Sequence, residues 1–351
     1  MTPDRDLPGL HLQQVPSAPG RQLSRVATRE TVQYLLALAH DGHHQQAVAL
    51  VTDLMAYGLP AREVLSAMLL PVLHEVGDLW HANLVDVAAQ QRVSVACDQI
   101  LESVAWPPAP SPADLRGLVL LAAPPDEEHL LGARLATGWL VDDGWTAVDL
   151  GAVTAADLAA NEDALAEAAA LVVHAARVAL LPGLLPLLEV AAAVGVGVVA
   201  AGPGFGPSGD WCDALGIASW AATHAELSSA VLHCSAPRIA VTAAGLDAVA
   251  SLDARQAALV TGSSFAVDNT EHHPDASGPL HPVTFTLDAL RPALLFAEPA
   301  ILGAEVQWYR AFLASRDQPI DRYRAVLERL QRELADIPGC ASTIESALTV
   351  T

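Results

Sequence analysis

The spacing of apolar and polar positions changes twice along the chain. Between residues 21 and 106, apolar residues recur every three or four positions, as in "ETVQYLLALAHDG" and "HHQQAVALVTDLMAYG", which predicts amphipathic helices. Gly42 and Gly58 follow these two runs and are expected to end them. Two more helices are predicted from "PAREVLSAMLLPVLHEVGDLWH", in which Pro71 should introduce a kink, and from "DVAAQQRVSVACDQILESVAW". Four helices with short connections predict an up-and-down bundle.

A second pattern begins after the proline-rich stretch "PPAPSPADLR". Short apolar runs, "LVLLAA", "TAVDLG", "ALVVHAA", "GVGVVAAGPG" and "ASWAA", alternate there with Ala- and Leu-rich helical stretches. Buried strands that alternate with helices predict a doubly wound parallel sheet with helices on both faces. This pattern ends near Cys234.

A third pattern, again mostly helical, covers the rest of the chain. One helix is predicted near "LDAVASLDARQAALV", then a loop, "GSSFAVDNTEHHPDASGPLHP", and then two helices, "LDALRPALLFAEPAILGAEVQWYRAFLASR" and "IDRYRAVLERLQRELADI". The predicted fold class is therefore α/β plus all-α. Its predicted parts are a flexible tail (1–20), a helical-bundle cap (21–106), a linker (107–115), a doubly wound domain (116–234) and a helical C-terminal domain (235–351).

The amino-acid composition argues against several classes of binding partner and of reaction mechanism. The 351 residues include 40 acidic and 18 basic ones, for a net charge of −22. Such a chain repels nucleic acid and anionic membranes, so neither is predicted as a partner. All the basic residues are Arg, which excludes a Schiff-base lysine or a P-loop lysine. Four scattered cysteines without a CxxC spacing, and no hydrophobic signal core, predict a cytoplasmic protein.

The most specific chemical signal is one histidine directly after the first predicted strand. In "PPDEEHLLG", Glu127 lies two residues before His129, and Gly132 lies three residues after it. Ligands of open α/β sheets bind beyond the carboxyl ends of the strands, and a metal-ligating imidazole usually donates its other N–H to a carboxylate. Gly132 removes a Cβ where a bulky group would approach the backbone. A solvated loop pair of His and Glu is the alternative interpretation of the same residues.

This Glu-x-His-x-x-Gly motif resembles that of cobalamin-binding domains. The resemblance implies that His129 ligates cobalt in place of the dimethylbenzimidazole base, and that the detached nucleotide tail lies in a slot in the sheet. "GWTAVDLG" and "LGIASWAATHAEL" are similar to the second strand and to the last strand and helix of that family. Gly202 and Gly204 of "AAGPGFG" stand where the family has a Gly-Gly pair, and His174 or Ala175 stands where it often has a tail-binding Ser.

The helical segment resembles the cap of adenosylcobalamin-dependent photoreceptors. Trp80 occupies the position of the Trp that covers the adenosyl group, while Gln90 and Gln91 replace a Glu-His pair. The resemblance implies a light sensor, not an enzyme, in which photolysis of the cobalt–carbon bond changes the packing of the cap. A homodimer with light-dependent assembly and an unidentified downstream protein is then expected. The alternatives are a corrinoid carrier protein of a methyltransferase system and a regulator that binds no corrin.

The C-terminal segment suggests a second chromophore. Seven of the 18 arginines lie between Arg291 and Arg332, and guanidinium groups pair well with carboxylates such as tetrapyrrole propionates. The arrangement resembles photocobilins, in which a cobalamin-binding domain is joined to a bilin-binding one, and implies biliverdin. A helical dimerisation module with a solvated Arg/Glu face is the alternative. The candidate bilin-binding residues are His272, His273, His281, Arg291, Trp308, Tyr309 and Arg310.

Overall fold

The structure is a computed structural model that describes residues 29–104, 106, 116–261 and 281–349. The chain divides into two compact units, Met1–Trp106 and Pro107–Thr351. The predicted tail and linker lie outside the described residues. In the part of the chain that the structure describes, no helix combines the length and the apolar character that a membrane span requires.

The first unit contains the four predicted helices. Its elements are α1 (Arg29–His40), α2 (His44–Ala56), α3 (Ala61–Val64), a π-helical segment (Leu65–Leu69), α4 (Leu70–His81) and α5 (Val87–Ser103). Gly42 and Gly58 follow α1 and α2 with φ of 79° and 90°, a conformation that glycine adopts without steric cost. Asp86 caps α5, because its carboxylate accepts a hydrogen bond from the Ala89 amide at 2.6 Å.

A π-helical segment directly precedes the helical turn that contains Pro71, where the sequence predicts a kink. Leu65–Leu69 has π-helical hydrogen bonding and leads directly into α4, where Pro71 lies in the first turn. Proline lacks an N–H, and its ring crowds the carbonyl one turn earlier. A π-helical turn is one of the usual causes of a bent helix.

The second unit is built on five parallel strands. They are β1 (Leu118–Ala123), β2 (Thr146–Ala152), β3 (Ala170–His174), β4 (Val198–Ala201) and β5 (Ser219–Ala221), in the order β2-β1-β3-β4-β5. The helices between and after the strands are α6 (Leu131–Asp142), α7 (Ala155–Ala159), α8 (Glu162–Glu167), α9 (Leu185–Val194) and α10 (Leu227–His233). Five residues of β1 and all of β3 are buried, as expected for strands covered on both faces. The predicted doubly wound sheet is confirmed.

The strand order creates a crevice between β1 and β3. In a parallel sheet of this order, the chain leaves β1 and β3 toward opposite faces, so the loops at their carboxyl ends diverge. The loop after β1 runs into α6, and the loop after β3 runs into the 3₁₀ segment Val178–Leu184. Side chains alternate along a strand, so His174 shares a face of β3 with Val172, which belongs to the core packed against α6 and α10.

The C-terminal helices differ from the prediction in two places. Their bounds are α11 (Ala243–Thr261), α12 (Pro282–Leu295), α13 (Pro299–Ala314), α14 (Ile320–Glu333) and α15 (Cys340–Leu348). The single helix predicted from "LDALRPALLF…RAFLASR" was wrong: Ala297 has a φ of 55°, which ends α12, and Pro299 begins α13. The sequence prediction also missed α15. Helix α12 packs against the 3₁₀ segment that follows β3.

Candidate functional site

The buried carboxylate of Glu127 organises the crevice between β1 and β3. Its side chain is fully buried. One oxygen, Oε1, accepts a hydrogen bond from the His129 amide at 2.8 Å and lies 3.0 Å from His129 Nδ1. The other, Oε2, accepts a hydrogen bond from the Ala176 amide at 2.7 Å. Glu127 therefore joins the loop after β1 to the loop after β3.

The hydrogen bonds of Glu127 determine the tautomer of His129. Burial alone would raise the pKa of Glu127, but the hydrogen bonds from the His129 ring and from the Ala176 and His129 amides lower that pKa to about 2. An ionised carboxylate only accepts hydrogen bonds, so we assign the imidazole proton to Nδ1. The Nε2 lone pair is then available to a ligand, and the His129 side chain is 57% exposed. This is the arrangement in which a carboxylate orients a metal-ligating histidine.

The ring of His174 lies between two glycines at the base of this loop. A Cβ atom added at Gly132 would lie 2.7 Å from His174 Cε1, and one added at Gly202 would lie 2.9 Å from both Cε1 and Nδ1 of the same ring. His174 is only 6% exposed. The bulky group expected beside Gly132 is thus a side chain of the protein itself. Burial lowers the pKa of His174.

The predicted glycine pair packs on the backbone that follows β3. Gly202 has a φ of 102°, and a Cβ there would approach the Ala175 carbonyl oxygen to 2.5 Å. The Gly204 amide donates a hydrogen bond to the same oxygen at 2.9 Å. Both the backbone conformation and the close approach therefore require glycine at position 202. Ala175 is fully buried, and its carbonyl is the group that meets the glycine pair.

A second histidine, half-buried and missed in the sequence, lies on the other side of Gly132. His224 Nε2 lies 3.2 Å from the Gly132 carbonyl oxygen, and the ring centroid is 5.2 Å from that of Trp139. Burial lowers the pKa of His224. The only sequence signal was its place in "LGIASWAATHAEL", between β5 and α10. The start of α6 therefore lies between two imidazole rings.

The candidate residues of the first unit lie on or beside an exposed apolar stripe of α5. Val87 and Val95 are 47% and 46% exposed, and Gln91 lies between them at helical spacing. Gln91 is itself exposed. Leu84, in the turn before α5, is 63% exposed, and Trp80 lies half-buried in the last turn of α4. The stripe offers an apolar surface with one amide in its centre.

The second glutamine candidate has a different environment. Gln90 is half-buried, and its Nε2 donates a hydrogen bond to Ser94 Oγ at 3.5 Å. Ser94 Oγ in turn donates to the Gln90 carbonyl at 3.2 Å. The Gln90 side chain is thus hydrogen-bonded within α5, whereas the Gln91 side chain is exposed to solvent in this unit.

Arg291, a candidate bilin-binding residue, is held inside an ion-pair network. Its Nε lies 2.6 Å from Asp253 and its Nη1 lies 2.5 Å from Asp288, while Nη2 donates a hydrogen bond to Gln256. The Arg291 side chain is 17% exposed. Its charge is therefore balanced by neighbours on α11 and α12.

The aromatic candidates form one stack on α12 and α13. Trp308 is 37% exposed and stacks on Phe285 and Phe312, with centroid distances of 5.7 and 5.6 Å. Tyr309 is buried and lies 4.5 Å from Phe285 and 4.6 Å from Tyr323 by centroid distance. The stack therefore has a buried side and an exposed edge at Trp308.

The other candidate bilin-binding residues are distributed over separate parts of the C-terminal segment. Arg310 lines a shallow cavity of about 270 Å³ together with Gln307, Ala311 and Ile320. His281 directly precedes α12 and is 8% exposed. His272 and His273 lie outside the described residues.

The donor set in the crevice offers a single ligand for a metal ion. Among the described residues, no group of three or more His, Cys, Asp or Glu side chains could hold a metal ion. A lone oriented imidazole suits a metal whose other coordination positions are already filled by its own macrocycle. One imidazole would be enough to hold a metal that a macrocycle such as a corrin already binds.

Comparisons with known proteins point to the same class. A family model described as "B12 binding domain" matches residues 32–104. The monomethylamine corrinoid protein of Methanosarcina barkeri is similar in structure, with 20% identity, a TM-score of 0.50, and coverage of 57% of this chain and 95% of that chain. No curated protein matches the chain significantly.

Two further solved structures match less well. The methanol:cobalamin methyltransferase complex MtaBC of M. barkeri has 15% identity and a TM-score of 0.32, covering 62% of this chain and 86% of that chain. A cobalamin-binding protein of Desulfitobacterium hafniense DCB-2 has 14% identity and a TM-score of 0.30, covering 56% of this chain and 95% of that chain.

The chain contains a B12 binding domain, and its fold is similar to that of corrinoid proteins. The family match falls on the helical unit, which carries Trp80, Gln90 and Gln91. His129 and the residues around it belong to the unit with the parallel sheet.

Proposed function

We propose that the protein binds a cobalamin-type corrinoid with His129 Nε2 as an axial ligand of cobalt. One observation carries this proposal: the buried carboxylate of Glu127 orients an exposed imidazole at the point where the strand order reverses. Glu127 holds the proton on Nδ1 and so leaves Nε2 to the metal. Ala176 holds the carboxylate from the other loop, which fixes the direction of the ring.

The substitution His129→Ala tests this proposal directly. We expect the variant to lose histidine ligation of aquacobalamin, which changes the visible absorption spectrum of the bound corrinoid and lowers the affinity. His233→Ala is a matched control, because His233 is an exposed histidine at the end of α10 whose ring lies 2.7 Å from the Ser229 carbonyl of its own helix. Equal spectra for the wild type and His129→Ala would refute the assignment of the ligand.

Glu127 provides a second test of the same geometry. Loss of a residue that orients a metal ligand typically weakens metal binding by about 10- to 100-fold. We expect Glu127→Gln to lower the affinity for aquacobalamin within this range while His129 still ligates the cobalt. An unchanged dissociation constant in equilibrium dialysis would show that the hydrogen bond to Nδ1 does not prepare the ring for ligation.

Within this class, we propose the role of a corrinoid carrier in a methyltransferase system. When bound, the corrinoid supplies a cobalt–carbon bond that forms and breaks at the metal. The protein's own part is to hold the cofactor through His129 and to present it to a partner enzyme. Support comes from the fold, which matches 95% of a chain described as a monomethylamine corrinoid protein. The helical unit, which the B12 binding domain model matches, also presents an exposed apolar stripe around Gln91.

A second candidate is a light sensor that binds adenosylcobalamin. Two observations favour it. Trp80 lies at the end of α4 beside the start of the exposed stripe, where an indole would cover an adenosyl group. In the part of the chain that the structure describes, five helices also follow α10, and residues of α12, α13 and α14 form a partly exposed aromatic stack. In this role the bulky upper ligand would favour one packing of the helical unit, and its loss would favour another.

The two roles predict different responses to light. A sensor loaded with adenosylcobalamin in the dark should change its elution volume on size-exclusion chromatography after green light, and the same protein loaded with methylcobalamin serves as the comparison. A carrier should show no light-dependent change of assembly. Trp80→Ala should weaken adenosylcobalamin binding alone in a sensor, whereas Tyr57→Ala, at an 85% exposed position, should have no effect on either corrinoid.

Biliverdin remains part of the sensor proposal. The exposed edge of the aromatic stack at Trp308 supports it, because flat rings stack favourably on a tetrapyrrole. Co-production with a haem oxygenase should then give a far-red-absorbing protein, and Trp308→Ala should reduce that absorbance. A protein that stays colourless above the corrin bands would remove biliverdin from the proposal.

A further inference from the structure

We infer that the residues after β3, Ala175–Leu184 (the post-β3 segment), link the loop that carries His129 to helix α12, so that the C-terminal helices respond to a ligand bound at His129. The identity of the ligand rests on the proposed function. The link itself is a property of the protein alone, and it can be tested with and without a ligand.

The post-β3 segment is attached to the loop after β1 at two points. Near its start, the Ala176 amide donates a hydrogen bond of 2.7 Å to Glu127 Oε2, and Oε1 of the same carboxylate accepts one from the His129 amide at 2.8 Å. Near its end, a Cβ atom added at Gly183 would lie 3.1 Å from Cβ of Pro124, so these two residues are in close contact. Because the Glu127 side chain is fully buried, loss of this acceptor would leave buried amides without a partner.

The turn after β4 packs on the same segment. The Gly204 amide donates a hydrogen bond to the Ala175 carbonyl at 2.9 Å. A Cβ atom added at Gly204 would lie 2.8 Å from the carbonyl oxygen of Ala175 and 2.9 Å from that of Arg177. The later part of the segment is anchored by three buried side chains, Val178, Leu181 and Leu184. Close-packed groups transmit small displacements to their neighbours, so a shift of this segment must be passed on.

Helix α12 receives such a shift because it packs directly on the post-β3 segment. Ten of its fourteen residues are buried, and none is exposed, whereas a helix at a protein surface usually buries only one stripe. It also packs against α11, α13 and α15. Packed side chains and hydrogen bonds therefore run without interruption from His129 to the C-terminal helices.

The charge of Arg177 supports the same contact. Burial raises the pKa of Asp288 on α12 and of Glu305 on α13. Arg291 and Arg177 oppose this rise at Asp288, and Arg177 opposes it at Glu305. Arg177 directly follows Ala176 in the chain. The post-β3 segment thus places a cation near carboxylates of two C-terminal helices.

The link can be tested in the full chain without a ligand, by amide hydrogen exchange measured with mass spectrometry. Glu127→Ala removes the acceptor of the Ala176 amide, and we expect peptides of the post-β3 segment and of α12 to exchange about tenfold faster or more. Peptides of α10, which packs on β4 and β5, should change by less than about twofold. Glu127→Gln keeps one acceptor oxygen, so it should have a smaller effect in the same peptides; it also guards against an alanine variant that fails to fold.

Ser228→Ala is the matched control for the loss of a hydrogen bond in the same unit. Ser228 lies on α10, and its Oγ accepts a hydrogen bond from Trp145 Nε1 at 3.0 Å. Neither residue belongs to the link. The control variant should speed exchange in α10 and leave exchange in α12 unchanged.

Aquacobalamin is the probe for the second arm of the test. At about one hundred times its dissociation constant, openings that prevent binding become about a hundredfold rarer. We therefore expect exchange in α12 to slow by about tenfold or more relative to exchange in α10. The His129→Ala variant should not show this relative protection.

The outcomes separate the link from the proposed function. Faster exchange in α12 after Glu127→Ala, without a change in α10, supports the link, whereas no change in α12 or equal changes in both helices overturns it. If aquacobalamin does not bind the wild type, the proposed function fails, and the ligand-free arm still decides the link. If aquacobalamin binds through His129 without slowing α12 relative to α10, the response to the ligand is refuted and the proposed function stands.

Discussion

The buried carboxylate of Glu127 should make the sheet unit sensitive to acid in a specific way. The perturbation is the substitution Glu127→Gln, combined with a decrease in pH. In the folded protein the pKa of Glu127 is lowered from 4.5 to about 2, because hydrogen bonds from His129 and Ala176 outweigh the effect of burial. Protonation of Glu127 therefore weakens these hydrogen bonds and lowers the stability of the folded protein.

The magnitude follows from the difference in proton affinity between the folded and unfolded states. A tenfold difference corresponds to about 1.4 kcal/mol, so a pKa lowered from 4.5 to about 2 corresponds to about 3 kcal/mol. Because the folded-state pKa is the lower one, this stabilisation is present above pH 4.5. It is lost as the pH falls from 4.5 toward 2.

The assay is urea-induced unfolding at a series of pH values, followed by tryptophan fluorescence. The difference in the free energy of unfolding between the wild type and Glu127→Gln should decrease by about 3 kcal/mol between neutral pH and pH 2. Glu128→Gln is the control, because Glu128 is the exposed neighbour in the same loop. Its curve should run parallel to that of the wild type. If the Glu127→Gln curve also stays parallel, Glu127 is not the ionised hydrogen-bond acceptor described above.

Three other substitutions probe the packing around the site and the helical unit. Gly202→Ala should lower the free energy of unfolding by about 3 kcal/mol, since φ is 102° and a carbonyl oxygen lies 2.5 Å from the new Cβ. Gly195→Ala, with open space around it, should lower it by only about 1 kcal/mol. Similar values for the two variants would contradict the close packing at Gly202. Gly132→Ala should destabilise the wild type but destabilise His174→Ser much less, with a coupling energy of about 1 to 2 kcal/mol in a double-mutant cycle. Additive effects of the two substitutions would show that the His174 ring does not clash with a side chain at position 132. Asp86→Ala should remove the cap of α5 and about 1 kcal/mol of stability from the helical unit in thermal unfolding, an effect that Asp86→Asn should largely avoid.

The local part of the site could be predicted from the sequence because it is contained in six residues. Glu127, His129 and Gly132 follow one strand and start one helix, so their spacing alone suggests an oriented imidazole at the carboxyl end of a sheet. The same holds for the parallel sheet, whose buried strands are continuous apolar runs. These features can be predicted because they depend only on the spacing of residues that are close in the sequence.

The spacing of apolar residues predicts helix boundaries poorly where an apolar segment is long. The break between α12 and α13 lies inside a mostly apolar stretch, where Pro299 signals a new helix start. The last helix, α15, follows Gly339 in the left-handed conformation. Its short, mixed sequence gave no strong helical period.

The packing of the His174 ring between Gly132 and Gly202 depends on the tertiary structure. Gly132 lies on α6, His174 at the end of β3, and Gly202 just after β4, and these segments meet because the three strands pair in parallel with their carboxyl ends at one edge. The imidazole after β1 and the glycines around the site could be predicted from residue spacing alone. That a second imidazole fills the space between those glycines depends on strand register and packing, which join residues 42 and 28 positions apart in the chain.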